Sequence, residues 1–190
     1  MAAMTGNDAG ANRSAWRLAP WAAAAALLTL PALAMRFAPQ AGFDWTASDF
    51  LVMGAMLAIA CGALELAMRA SASWAYRLGA VVAVGTGFLT LWANLAVGLV
   101  GNENNPANRL FVAVLVLAVA GAILARRRAG AMAAAMLATA LAQLLAGAIA
   151  FAMTPAGPGR AVEMAALLGI FPAGWMLSAW LFRRAAQKGA

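Results

Sequence analysis

The chain has no histidine, a single cysteine and only six acidic residues among 190. Each scarcity excludes something. Without histidine, the commonest general base and a common haem ligand are missing. One cysteine, Cys61, rules out an intrachain disulfide framework and the usual Cys/His zinc sites. Cys61 lies inside an apolar run and reads as a small packing residue. Charge as a whole is scarce. Charged residues make up 10% of the chain, against about 25% in an ordinary soluble domain.

What is present is apolar: 65% of the residues, with a mean hydropathy of +0.84. A soluble fold of this size would lack the polar surface to cover itself, so the surplus apolar area needs lipid as its solvent. The net charge of +7 would suggest nucleic acid as the partner of a soluble protein. Here the basic residues sit in short clusters between apolar runs and are not interleaved with aromatics on one face. They read as membrane topology signals, and no nucleic-acid partner is expected.

A bilayer core is crossed by about 20 predominantly apolar residues of helix. Six runs fit: Leu18 to Phe37, Phe50 to Met68, Leu78 to Val100, Leu110 to Ala125, Ala131 to Met153 and Val162 to Phe182. The connectors are short and polar. Thr46 or Ser48 is placed to cap the second helix, with Asp49 in its first turn. Ten basic residues fall on one side of the six runs: Arg13, Arg17, Arg69, Arg77, Arg126, Arg127, Arg128, Arg183, Arg184 and Lys188. Three fall on the other: Arg36, Arg109 and Arg160. The positive-inside rule assigns the ten to the cytoplasm. Both termini then lie inside, which an even number of spans requires. The expected fold is an all-α polytopic transmembrane bundle of about six helices. Its expected divisions are a disordered cytoplasmic tail over residues 1–12, one membrane domain over 13–184 and a short cytoplasmic tail over 185–190. Arg13, Arg17 and the Pro31-Ala32-Leu33-Ala34 stretch also fit a cleaved signal peptide. The run continues to Phe37 and is long enough to span, which favours a retained helix.

Polar residues inside the runs are few. Apart from Glu163 at the very start of the sixth run, Glu65 is the only carboxylate within the runs, about one turn from the inner end, with Arg69 four residues on. An intramembrane charge is a functional candidate, while Glu followed by Arg at i+4 is also a favourable helix ion pair. Asn94 and Gln143 each precede a glycine by four residues. They suit interhelical hydrogen bonding or the lining of a polar path. Trp92 to Gly98 also echoes Leu141 to Gly147, which suggests a weak internal repeat. Small residues recur every fourth position at Gly54, Ala58 and Gly62, and at Gly79, Ala83 and Gly87. Such ridges allow close packing. They serve a homo-oligomer, a partner membrane protein or contacts within the chain alike. Pro31 and Pro172 lie inside expected helices, where each frees a carbonyl and favours a kink.

The outer side carries a polar cluster: Asp44, Asp49, Asn102, Glu103, Asn104, Asn105, Asn108 and Glu163, with Arg160 nearby. Carboxylates and amide oxygens are hard ligands suited to a divalent cation. The same residues also make turns, with Pro106 setting one and Asn108 placed to cap the fourth helix. Calcium-loop spacing is absent. No metal and no cofactor is expected.

The segment Leu30 to Met35, the Asp44-Trp45-Thr46 and Asp49-Phe50 pairs, and above all Trp92 to Asn108 resemble a family of small, functionally uncharacterised bacterial multi-pass membrane proteins. Ala138 to Gln143 and Leu177 to Arg184 are also similar. The family pattern has an acidic residue where this chain has Gln40 and Ala41, with Asp44 nearby. The resemblance implies a retained first helix and a bacterial inner membrane, and supplies no activity. Three functions follow as expectations. A scaffold or accessory membrane subunit needs only helix packing. A small permease or channel needs a polar path near Glu65, Asn94 and Gln143. An intramembrane enzyme is the least supported, since no metal set, paired carboxylates or activated nucleophile stands within a span.

Overall fold

The computed structural model describes residues 5–42, 44–102, 104–154 and 160–188, with side chains described from Leu18 onward, apart from Ala41 and Lys188. Glu103 of the expected outer cluster lies outside the described residues. Among the described residues every regular element is helical. The α-helices are α1 (Thr5–Phe37), α2 (Ala47–Ala70), α3 (Trp74–Ala96), α4 (Arg109–Leu124), α5 (Ala129–Met153), α6 (Arg160–Ala165) and α7 (Phe171–Lys188). A 3-10 turn, Pro106–Asn108, precedes α4, and a π-helical turn, Ala166–Ile170, joins α6 to α7. Six stretches are long and apolar enough to cross a membrane, and they match the six expected runs: Leu18–Phe37, Ala47–Ala70, Trp74–Ala96, Pro106–Leu124, Ala129–Met153 and Arg160–Gln187.

One boundary departs from expectation, while α1 is described from Thr5. The third span was expected to reach Val100, but α3 stops at Ala96 and the chain turns at Gly98, whose φ is +76°. Glycine takes that left-handed conformation without the steric cost a Cβ imposes. The apolar Leu95–Val100 segment carries no local polar signal to mark the stop.

The chain divides into two compact units, Met1–Glu65 and Leu66–Ala190. In the first, the Cys61 thiol donates to the Pro20 carbonyl at 3.4 Å. A Cβ at Gly54 would meet Leu28 at 3.6 Å. Thr46 starts α2 with a reciprocal cap: its N–H and hydroxyl both donate to Asp49 Oδ2 at 2.7 Å, and Asp49 N–H donates to Thr46 Oγ1 at 3.4 Å. Trp45 and Phe50 close over that turn edge to face, with centroids 5.3 Å apart. This is a capping box with a hydrophobic staple, which sets the angle at which the chain enters the helix.

In the second unit α3 and α7 run antiparallel in close contact. A Cβ at Gly79 would meet Leu181 and Phe182 at 3.3 Å, and one at Gly87 would meet Trp175 at 3.4 Å. The Ser178 hydroxyl donates across the seam to the Gly79 carbonyl at 2.8 Å. The small-residue ridge of α3 is therefore occupied within the chain. Gly121 of α4 does the same against Ala135 of α5, whose Cβ lies 2.8 Å from where a Cβ of Gly121 would stand. Pro172 has no N–H to give the preceding turn, and the backbone widens there into the π turn. At the opposite end, Arg77 donates to the Ser71 and Met68 carbonyls at 2.9 and 3.3 Å, closing the last turn of α2.

Candidate functional site

The loop from α3 to α4 is built by its asparagines. Leu99 and Val100 leave the helix with their side chains buried. Their N–H groups both donate to Asn108 Oδ1 at 3.0 Å. The Asn108 amide donates in turn to the Asn102 carbonyl at 2.7 Å. One side chain thus supplies the partners that a continued helix would have supplied. Asn108 does not cap α4, as the sequence suggested: it is in the right-handed helical region and makes no capping bond. Asn105 instead caps the 3-10 turn, accepting from Ala107 N–H at 3.0 Å, and reaches Thr154 at 3.3 Å with its amide. Asn102 Oδ1 accepts from Asn104 N–H at 3.0 Å.

One charged residue fastens this loop to a neighbouring helix, and a second closes the end of α5 beside it. Glu163 of α6 accepts from Gly101 N–H at 3.2 Å. Gly101 has φ +71°, so its N–H is presented from a left-handed residue. Arg160 donates to the Thr154 and Phe151 carbonyls at 2.6 and 2.9 Å and lies 3.7 Å from the Phe151 ring centroid. It satisfies the open carbonyls at the end of α5 and places a cation against that negative end of the helix. The oxygens expected to face a cation are thus engaged by backbone N–H groups at Asn102, Asn105, Asn108 and Glu163. Asp49 is engaged by Thr46, and both Asp49 and the exposed Asp44 belong to the first unit. Among the described residues no group of three or more His, Cys, Asp or Glu could hold a metal ion.

Beside the loop lies a pocket of about 370 Å³. Its polar wall is Asn94, Asn104, Asn105, Asn108 and Arg109, and its apolar wall is Leu95, Pro106 and Val112. Asn105 is engaged by Ala107 and Thr154, Asn108 by the loop backbone, and Asn104 is also engaged. Asn94 differs. It is only 8% exposed, and its Oδ1 has no hydrogen-bond partner among the described residues. The Arg109 guanidinium makes no ion pair with any described carboxylate. Arg109 was legible in the sequence only as an outer-side charge. Its adjacency to Asn108 was the available signal.

Gln143 is a separate case. It is 0% exposed in the middle of α5, and neither its Oε1 nor its Nε2 has a partner among the described residues. It therefore makes no hydrogen bond to Asn94, and it does not line the pocket. The suggested echo between the two stretches fails structurally as well. Gly98 stands beyond the end of α3, whereas Gly147 is mid-helix, where an added Cβ would lie 3.1 Å from the Leu167 carbonyl. Glu65 is half-buried in the first unit, and both it and Arg69 are engaged by other groups. Trp175, which the sequence left open between anchoring and packing, packs inside with its Nε1 unpartnered. Trp180 is exposed beneath Arg184, 5.3 Å from its ring centroid.

A buried amide with no partner destabilises the fold by about 1–3 kcal/mol relative to an apolar group of the same shape. Gln143→Met, close in volume, is therefore expected to raise the thermal midpoint of the detergent-solubilised protein. A lowered midpoint would show that the amide has a partner in the bundle.

Comparison with known proteins finds no matching family model, no matching curated protein and no matching solved structure.

Proposed function

We propose that this chain is a scaffold or accessory subunit of a bacterial inner membrane, with both ends in the cytoplasm. The observation that carries this reading is the protein-facing use of the polar groups within the spans. Ser178 bridges α7 to the Gly79 carbonyl, and the hydroxyls of Thr86, Thr90 and Thr139 donate to carbonyls one turn back in their own helices at 2.8, 2.8 and 2.9 Å. Such groups serve helix packing, which is what a subunit that holds other membrane proteins in place requires. The ten-to-three distribution of basic residues supports the orientation, and the resemblance around Trp92 to Asn108 supports the bacterial setting.

A second reading, a small permease, draws on Asn94 and Gln143, buried amides within the spans that have side-chain atoms without a partner among the described residues. The two readings separate in one preparation. Protein purified from native membranes is expected to retain another membrane protein at fixed stoichiometry. Reconstituted alone, it is expected to leave liposomes as tight to ions and small solutes as empty ones. A saturable flux that disappears in Gln143→Met would replace the scaffold reading with the permease reading.

A further inference from the structure

We infer that the second unit fits a bilayer whose hydrocarbon core is about 24–27 Å thick, thinner than the usual core of about 30 Å, and so takes short-chain phospholipids along α3, α4 and α5. This goes beyond the scaffold reading and needs only that the chain lies in a bilayer. Three lengths carry it, each fixed by different residues. The first is on α3. Trp74 and Trp92 are both exposed and stand eighteen residues apart. Eighteen residues make five helical turns, so the two indoles leave the same face, with a rise of about 27 Å between them. The exposed Leu78, Val81 and Leu89 fill that face from one indole to the other. Tryptophan favours the headgroup level, so the pair marks both edges of an apolar band. The Arg184 guanidinium, 5.4 Å from the Trp74 ring centroid, sets a charge at the same edge.

The second length is on α4. Residues 110–125 are sixteen apolar positions between the exposed Arg109 and Arg126, a rise of about 24 Å. Arginine can bend its charge back toward the headgroups, but the turns at the two ends cannot follow it into lipid. At one end the chain leaves the helix through Arg126 and Arg127, with φ of +46° and +66°. At the other, Asn102 and Asn104 are exposed in the loop. Irregular backbone facing hydrocarbon is not tolerated, so both turns hold the ends of α4 at the headgroups. The third length is on α5, whose large exposed apolar side chains are Leu137, Leu141, Leu145, Ile149 and Met153. They form a ridge at every fourth residue that again rises about 24 Å.

The helices that carry these lengths pack side by side. Leu95, Arg109 and Val112 line one pocket, which puts that end of α3 and α4 at one level, and Gly121 of α4 lies against Ala135 of α5. Tilting does not remove the shortfall, because a tilted helix reaches less far across the membrane. What remains is for the lipid against these helices to be short or compressed. In the first unit, by contrast, the nineteen residues 50–68 between Asp49 and Arg69 rise about 29 Å, close to an ordinary core.

The test is fluorescence quenching of the full chain in phosphatidylcholine bilayers of graded acyl length, from dimyristoleoyl to dierucoyl, each mixed with brominated dioleoyl lipid as the quencher. Trp16→Phe, Trp21→Phe and Trp45→Phe together leave only the tryptophans of the second unit as reporters. Dimyristoleoyl or dipalmitoleoyl lipid is expected to displace the quencher about threefold better than dieicosenoyl lipid, with dioleoyl between them. The thermal midpoint of the wild-type chain, read in the same lipids without quencher, should be highest in one of the same two short lipids. That readout stands even if the triple variant does not fold. A best fit at dioleoyl or longer in either readout, or equal binding across the series, would overturn the inference.

Discussion

Asn108→Ala is expected to loosen the whole α3–α4 end of the bundle. The substitution removes an acceptor shared by two N–H groups, at 3.0 Å each, and a donor to the Asn102 carbonyl at 2.7 Å. Leu99 and Val100 are 6% and 2% exposed, so water does not readily replace the lost acceptor. A buried donor left without a partner costs about 1–3 kcal/mol, which makes the expected loss about 2–6 kcal/mol for the two. Asn108→Asp keeps the acceptor and loses only the donor, so it should fall between Ala and wild type. Hydrogen exchange reads the effect locally. The Leu99 and Val100 amides should lose protection in Asn108→Ala while amides in the middle of α5 keep theirs. Unchanged protection at both positions would remove Asn108 from this role.

The second large effect is at the α3–α7 seam. A Cβ at Gly174 would overlap Thr86 Oγ1 and stand 3.1 Å from its Cγ2. Thr86 cannot easily turn away, because its hydroxyl is bound to the Val82 carbonyl at 2.8 Å. Overpacking of this kind costs about 1–3 kcal/mol, and Gly174→Val should cost more than Gly174→Ala. Thr86→Ala removes both atoms in the way and should restore most of the loss in the double variant. The expected coupling is about 1–3 kcal/mol in a double-mutant cycle. Gly85 is the matched control. It lies next to Thr86, and an added Cβ there meets nothing within 4 Å, so Gly85→Ala should not destabilise. Equal losses in Gly85→Ala and Gly174→Ala would show that the contact with Thr86 is not the cause, since alanine has the higher helix propensity at both positions.

The two sites differ in how readable they were. Thr46 or Ser48 was expected to cap α2 with Asp49 in its first turn; the structure selects Thr46 and makes the cap reciprocal with Asp49. The glycine ridge on α3 was visible as a spacing, but its partner was not, since Leu181, Phe182 and Trp175 lie about a hundred residues away along the chain. Asn108 was assigned to α4 because capping is the common use of an asparagine before a helix. Its actual partners precede it by six to nine residues, across a turn that nothing apolar in Leu95–Val100 announces. Asn94 and Gln143 looked alike in the sequence, each four residues ahead of a glycine. In the structure one lines a pocket and the other is enclosed.

Composition and run length already place this polypeptide in lipid and divide it into six spans. Both are properties of successive residues, and the hydrophobic cost of exposing them to water does not depend on what they pack against. The fate of each polar side chain is of another kind. Whether an amide is tied to backbone, enclosed without a partner or turned toward a cavity depends on groups brought near it by the packing of α3, α4, α5 and α7. Hydrogen bonds act over about 3 Å, so their pairing exists only once those helices are side by side.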